Sequence, residues 1–462
     1  MPMFDLRAIM LDPARLMDRK ERYTELLPRL ASWGYNVLHF HITDDEGCRM
    51  VFPRRPELAS PGAFTAEEMK ALVERARDLG IEVIPEIEAL GHTRYITQHE
   101  KYTDLAEPVP RGGFNAICPT HPETRAVIGD LLADAADIFT ADTIHVGLDE
   151  VRFGECPRCG PRASEDRFVG HALWIHETVR ALGKRSAMWG DHMLTSERIA
   201  DAMPRDVLVF DWHYEARVDP GTIEFFLDRG FEVVEAPAAV AHCSARLAPT
   251  RVAKDNLRHA TAAALAYRGR GLRGIDVTAW TPYRHFAGVA EPMVAFGGHL
   301  LTTEVESGDF WRAFAAEHYG LGGEDASALE EFYDALLPPR DFDDLVWRAR
   351  GSGPGGREYR RMAAALRGRM GPIAKALSGA ASRATRHADD LRGIALTADV
   401  AAAIADAAAG TIGAVSEELV ARVEAAWTRD RDAATLETHG HRAVSDRPRD
   451  CLLCILDRCR RA

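Results

Sequence analysis

Basic residues are the first shortage: the 462 residues hold 57 Lys and Arg against 70 Asp and Glu, a formal net charge of −13. A polyanion needs a basic face, so nucleic acid and anionic membrane surfaces are excluded as partners. Long apolar runs are also missing, and nothing approaches the roughly 20 residues that cross a bilayer. The segment from Met1 to Asp12 has no basic stretch followed by an apolar one, the pattern of a secretory leader. Cysteine is scarce and irregular, with eight residues at 48, 118, 156, 159, 243, 451, 454 and 459. That usage suits reduced thiols better than a disulfide framework, so a cytoplasmic location is expected. No glycine-rich phosphate fingerprint follows the first strand, which argues against an open dinucleotide-binding sheet.

What is present is a large apolar fraction, 46%, arranged as strands alternating with helices. Strands are expected near 7–11, 36–42, 82–87, 143–148, 186–190, 207–212, 231–236 and 275–280. Between them lie amphipathic helices such as 65–79, where Met69, Leu72, Val73 and Ala76 recur at helical spacing. Thr65 and Glu68 form a capping box at its start. Eight nearly apolar strands, each followed by a helix, predict a (β/α)8 TIM barrel, an α/β fold, over residues 1–304. From 305 to 462 strand signals vanish and alanine rises, which predicts a C-terminal α-helical region with a long helix over 398–426 and a hinge or loop at 351–356. That region is expected to serve packing or homo-oligomer formation.

Polar residues crowd the ends of these strands, where a parallel barrel builds its sites. The second strand runs into HFHITDDEG, the third into PEIEALGHT, the fourth into HVGLDEV and the fifth into MWGD. Burying so many ionisable groups for structure alone would cost several kcal/mol each, about what unpaired charges require. The adjacent pair Asp149 and Glu150 is the centre of the pattern. Mutual repulsion and desolvation raise one pKa of such a pair, and a carboxyl kept protonated near neutrality is what a glycosidic oxygen needs to depart.

These residues resemble the β-N-acetylhexosaminidases of glycoside hydrolase family 20 across roughly 7–280. Arg7 with MLDPAR (10–15) resembles the opening strand, NVLHFHITDDEG (36–47) the second-strand signature, and residues 64–93 the next helix and strand. CPTHPET (118–124) and HVGLDEV (145–151) complete the match. The resemblance implies a retaining, substrate-assisted glycosidase acting on a glycan with a terminal β-linked N-acetylhexosamine, whose acetamido oxygen replaces the side-chain nucleophile of most retaining enzymes. No cofactor is required for that chemistry. Glu150 would be the acid and base, Asp149 would orient the acetamido group, and His92 backed by Glu88 would support Glu150. Arg7, Asp44, Asp45, His145, Trp189, Trp212, Tyr214 and Trp280 are the implied sugar-binding residues. The chain departs from the family pattern at Glu88, Leu90 and Leu148. After the eighth strand, Trp280-Thr281-Pro282 lacks the glutamate expected to bind outer hydroxyls, so N-acetylgalactosamine stands level with N-acetylglucosamine.

Cys156-Pro-Arg-Cys159 has the spacing of half a zinc knuckle, with His171, His176 or Cys243 as further candidate ligands for a structural zinc. Cys451, Cys454 and Cys459 are expected to pack as small apolar residues of a helix. His39-x-His41 points both imidazoles inward from one strand, and so raises a rival, a zinc-dependent barrel amide or ester hydrolase. A sugar-binding protein without catalysis is a third reading.

Overall fold

The computed structural model describes residues 3–108, 116–154, 156–160, 163–240, 247–280, 285–303, 309–335, 342–411, 413–431 and 452–460. Eight parallel strands close into a barrel: β1 (Leu6–Leu11), β2 (Val37–His41), β3 (Glu82–Glu86), β4 (Thr143–His145), β5 (Arg185–Trp189), β6 (Leu208–His213), β7 (Glu232–Val240) and β8 (Leu272–Ala279). Helices follow them in turn: α1 (Lys20–Ser32), α2 (Ala66–Asp78), α3 (Pro122–Ile138), α4 (Ser164–Ala181), α5 (Glu197–Ala202), α6 (Gly221–Asp228), α7 (Arg251–Ala266) and α8 (Glu291–Thr302). The capping box on α2 forms as its residues dictate. Thr65 Oγ1 accepts from the Glu68 amide at 3.1 Å, and the Glu68 carboxylate accepts from the Thr65 amide at 2.8 Å. Closure of the barrel depends on Gly274, where a Cβ would lie 1.8 Å from the Leu6 carbonyl oxygen.

Strand register decides what fills the interior. Met10 pairs with His39, His41 with Glu86, Glu86 with His145, and Trp189 with Phe210. Because side chains alternate along a strand, these residues face one way, into the barrel. Near its amino end the barrel is aliphatic, with Ala8, Val37 and Ile84 packed together. Toward the carboxyl end it carries His39, His41, Glu86, His145 and Asp276, all fully buried. A charged layer inside a barrel is unusual and locates the functional end.

The chain divides into two compact units, residues 1–238 with 258–278, and residues 239–257 with 279–462. The second unit contains α8 and the later helices, among them α9 (Gly323–Ala335), α10 (Phe342–Ala349), α11 (Pro354–Arg383), α12 (Ala388–Ala408) and α13 (Glu417–Asp430). Within this unit Lys254 meets Glu330 and Asp334 at 3.1 Å each, and the Tyr333 hydroxyl donates to the Val289 carbonyl at 2.7 Å. The single helix expected over 398–426 is broken. α12 ends at Ala408, Gly410 takes φ +93°, and Ser416 caps α13 through the Leu419 amide at 3.1 Å. The Gly-Pro-rich 351–356 segment ends as a loop at Gly353, and Pro354 opens α11, where a missing N–H costs nothing. Among the described residues, no helix is long and apolar enough to cross a membrane.

Candidate active site

The turn leaving β4 carries the acidic pair on a strained backbone. Gly147, Leu148 and Glu150 adopt φ of +65°, +74° and +50°. For a leucine and a glutamate such angles are costly, and strain of this kind persists only where surrounding structure enforces it. Three contacts do so. A Cβ on Gly147 would sit 2.1 Å from Glu88 Oε2, so the turn lies directly on that carboxyl. A Cβ on Gly91 would sit 2.5 Å from the Asp149 carbonyl oxygen, so the β3 exit loop presses on the turn from the other side. The Glu150 amide donates to Asp191 Oδ2 at 2.9 Å, tying the turn to the end of β5.

His92 stands between the two acids. It also has a left-handed backbone, φ +48°, and its Nε2 lies 3.6 Å from Asp149 Oδ2 and 3.5 Å from Glu150 Oε2. Its Nδ1 faces Asp44 Oδ2 at 3.7 Å. Burial opposes a charge on His92, but Asp149, Asp44 and Glu150 together lift its pKa to about 10, so it is an imidazolium at neutral pH. The acids respond differently. Asp149, 13% exposed, is pushed up to about 7 by burial, against the pull of His92 and with repulsion from Asp191 and Glu150. Glu150, 42% exposed, loses less to desolvation and is held below the ordinary glutamate value by its hydrogen bond and charge attraction to His92. Free of ligand, the proton of the pair resides on Asp149.

Beneath them runs a continuous buried network. Asp276 Oδ2 lies 2.7 Å from His39 Nδ1, and His39 Nε2 lies 3.2 Å from Glu86 Oε2. The same Glu86 oxygen is 2.5 Å from His41 Nδ1, while His41 Nε2 reaches Asp44 Oδ2 at 2.9 Å. Asp44 also receives Arg15 at 2.8 Å, and Arg15 holds Asp12 at 3.0 Å. Glu86 Oε1 accepts the Trp189 indole N–H at 2.6 Å. Burial disfavours the charge on Glu86, yet His41, His145 and His39 hold its pKa well below the usual range. Alternating acids and imidazoles thus carry fixed charge from the barrel axis to the back of His92.

Several sequence expectations are corrected by this geometry. Arg7 sits at the amino end of β1, donating to the carbonyls of Gly34 and Phe4 at 2.7 Å each, at the end of the barrel away from the acids. Arg15, after the carboxyl end of the same strand, is the arginine that joins the network. Asp44 Oδ2 is the carboxylate oxygen facing His92 Nδ1. The Glu88 carboxyl is buried, and desolvation with repulsion from Asp149, Glu86 and Asp44 raises its pKa well above the carboxylate range. It packs directly under the Gly147 turn. Asp44 is buried in ion pairs, and Asp45 Oδ1 accepts the Arg94 amide at 3.0 Å, so both shape loops instead of presenting free carboxylates. Trp189 is 1% exposed and packs on His39, His145 and Phe210, which makes it core. His145 is likewise fully buried, with Nδ1 3.2 Å from Glu86 Oε1 and burial lowering its pKa to about 4.

Trp212 and Tyr214 stand at the exit of β6. Trp212 follows Phe210 on the inward face of the strand and Tyr214 lies one residue beyond its end; both are half-buried, stacked at 5.1 Å, and offer aromatic surface there. Trp280 is buried, its amide donating to Val240 at 3.3 Å, and Thr281 and Pro282 lie outside the described residues. Sequence reasoning missed Arg15, Glu86, Asp276 and Asp191 as site residues. Part of the signal was available, since Arg15, Glu86 and Asp191 stand at or beyond strand ends and Glu86 shares its strand register with His41, whereas Asp276 lies inside β8. His-x-His points inward as the metallohydrolase reading requires, but its ring nitrogens face Asp276, Glu86 and Asp44.

Comparison with known proteins agrees with the geometry. The model of the glycosyl hydrolase family 20 catalytic domain matches residues 4–261, more than half of the chain. The chain belongs to glycosyl hydrolase family 20. A β-hexosaminidase of Vibrio furnissii is 28% identical over 250 residues, covering 46% of this chain and 40% of the relative. A β-N-acetylhexosaminidase of Cellulomonas fimi is 27% identical over 259 residues, covering 52% and 49%. The matched part of the chain therefore spans under half the length of these curated relatives. In fold, an exo-β-N-acetylglucosaminidase of Vibrio harveyi solved with N-acetylglucosamine superposes with a TM-score of 0.54 at 24% identity, covering 66% of this chain and 55% of the other. The family 20 β-N-acetylhexosaminidase of Streptomyces coelicolor gives 0.53 at 22% identity, covering 68% of each.

Proposed function

We propose that the protein is an exo-acting, retaining β-N-acetylhexosaminidase in which the substrate's acetamido oxygen is the nucleophile. The observation that carries this reading is the strained β4 turn presenting Asp149 and Glu150 together, with His92 within 3.6 Å of both. Retaining enzymes with a side-chain nucleophile need two carboxyls about 5 Å apart across the sugar. Neighbouring carboxyls on one turn suit a substrate that brings its own nucleophile.

The steps follow from charge. The acetamido carbonyl oxygen attacks the anomeric carbon as the bond to the leaving oxygen breaks, and Glu150 gives that oxygen its proton. Asp149 accepts the acetamido N–H and balances the positive charge that develops on the bicyclic oxazolinium. Water then attacks the anomeric carbon, Glu150 takes its proton, and the acetamido group is restored. Both carboxyls must reverse their resting protonation. An N–H donated to Asp149 favours its ionised form, and an aglycone covering Glu150 removes water and favours its neutral form. His92 holds both side chains in place, and the stacked Trp212 and Tyr214 supply an apolar face for sugar C–H groups or the acetamido methyl. The hexosamine is gluco- or galacto-configured.

The test is hydrolysis of nitrophenyl N-acetyl-β-glucosaminide and N-acetyl-β-galactosaminide by native protein, Asp149→Asn and Glu150→Gln. Native protein should turn over at least one compound, and both variants should lose activity by about 10²–10⁴-fold. Native protein that binds both sugars and cleaves neither would leave a sugar-binding module. Activity that survives a strong chelator would discard the metal-dependent hydrolase.

A further inference from the structure

Cys118, from the connection between β3 and α3, meets Cys156 and Cys159, from the connection between β4 and α4. The Cys118 sulfur lies 3.6 Å from that of Cys156 and 3.7 Å from that of Cys159. The Glu107 carboxylate is 3.1 Å from the Cys159 sulfur. All four side chains are buried, and one ligand atom from each lies within 4.8 Å of the others. A disulfide would need about 2.05 Å. Thiolates held about 2.3 Å from a tetrahedral zinc stand about 3.8 Å apart, close to the spacing seen.

Three further observations separate a metal site from three thiols packed as small apolar groups. Glu107 Oε2 is buried with no hydrogen-bond partner among the described residues, and a carboxylate oxygen left that way is costly unless something else satisfies it. Cys156-Pro-Arg-Cys159-Gly160 forms a tight knuckle: Gly160 takes φ +59° and its amide donates to the Cys156 carbonyl at 3.1 Å, which aims both thiols at one point. The Thr120 hydroxyl lies 3.4 Å from both the Cys118 and Cys159 sulfurs, the kind of outer contact that steadies thiolate ligands. Glu107 is brought there by direct packing of the two loops, since a Cβ on Gly154 would sit 1.9 Å from the Pro108 carbonyl oxygen. The expected histidines take no part. His171 Nε2 lies 2.9 Å from the Ala89 carbonyl oxygen, His176 Nδ1 lies 2.9 Å from Ser186 Oγ, and Cys243 is outside the described residues.

We propose that Cys118, Cys156, Cys159 and Glu107 form a structural zinc site that fastens the loop carrying His92 to the loop carrying Asp149 and Glu150. The donor set is complete and buried, so no position stays open for substrate, which is the mark of a structural centre. Binding releases the thiol protons to solvent and involves no change of oxidation state. The site stands whether or not the protein cleaves a hexosaminide.

The test measures metal in the full chain purified from zinc-replete culture, with Cys118→Ser, Cys159→Ser and, as a control away from the cluster, Cys48→Ser. About one zinc per chain is expected in native protein and in the control, falling close to zero in the other two variants. Exchange into cobalt should give sulfur-to-metal charge-transfer absorption and the visible bands of a tetrahedral ion, a readout on native protein that survives any misfolding of the variants. Native protein without zinc that gives no such spectrum on cobalt addition would overturn the proposal. Zinc that persists in Cys118→Ser and Cys159→Ser would do the same.

Discussion

At the scale of single residues, chemistry follows from which end of a strand a side chain occupies. Arg7 and Arg15 flank the same strand, yet one caps its amino end and the other enters the acid–imidazole network. Arg15→Ala should cut kcat/KM by about 10²-fold, the scale of a mispositioned site. Arg7→Ala should leave kcat/KM unchanged and lower stability by about 1–2 kcal/mol through its lost carbonyl contacts. Steady-state kinetics with thermal melts separates the two, and equal kinetic losses would contradict the assignment. The resting proton on Asp149 makes a second claim. The productive form shares its proton count with the resting one, so kcat/KM should fall as pH rises through about 7, where the free pair loses its last proton. A flat profile from pH 6 to 8.5 would contradict it. The sequence showed that Asp149, Glu150 and His92 belong together. It could not show that Trp189 is core, because that depends on its register beside Phe210 and its indole bond to Glu86.

At the scale of elements, two loops and a turn are held in register by glycines. Gly91→Ala would drive a methyl into the Asp149 carbonyl and shift the acid pair without touching the barrel core. The expected result is a kcat loss of about 10²-fold with a native circular dichroism spectrum; full activity would mean that the turn relaxes freely. Gly274→Ala places its methyl against the Leu6 carbonyl at the β8–β1 seam, and should instead prevent folding or lower the melting temperature sharply. The strands and α2 were legible because near-apolar runs and a capping box are local signals. The break between α12 and α13 was misjudged because alanine-rich sequence masks a stop set by Gly410 and the Ser416 cap.

At the scale of the whole molecule, the barrel interior titrates as a body. His39 and His92 are raised to about 9 and about 10 by carboxylates that outweigh burial. A raised folded pKa contributes stability that is full below the unfolded value, about 6.5, and is lost as pH climbs through the folded one. Asp149, pushed up to about 7 chiefly by burial, acts with the same sign at lower pH. Glu86 acts oppositely, contributing above about pH 4.5 and losing that contribution in stronger acid. The melting temperature should therefore be highest in mild acid and fall between pH 6 and 10. A melting temperature that rises over that interval would show that the network is not charged as described. The fold class could be read from alternating strands and helices; this network could not, because it joins residues as far apart as His39 and Asp276.

The most direct measurement is the rate on nitrophenyl glycosides whose 2-acetamido group carries zero to three fluorines. Each fluorine withdraws electrons from the attacking carbonyl oxygen while changing size little, so kcat/KM should drop steeply along the series, and the matching glycoside without the acetamido group should be inert. Rates that ignore the fluorines, or comparable cleavage of the plain glycoside, would contradict a substrate that supplies its own nucleophile.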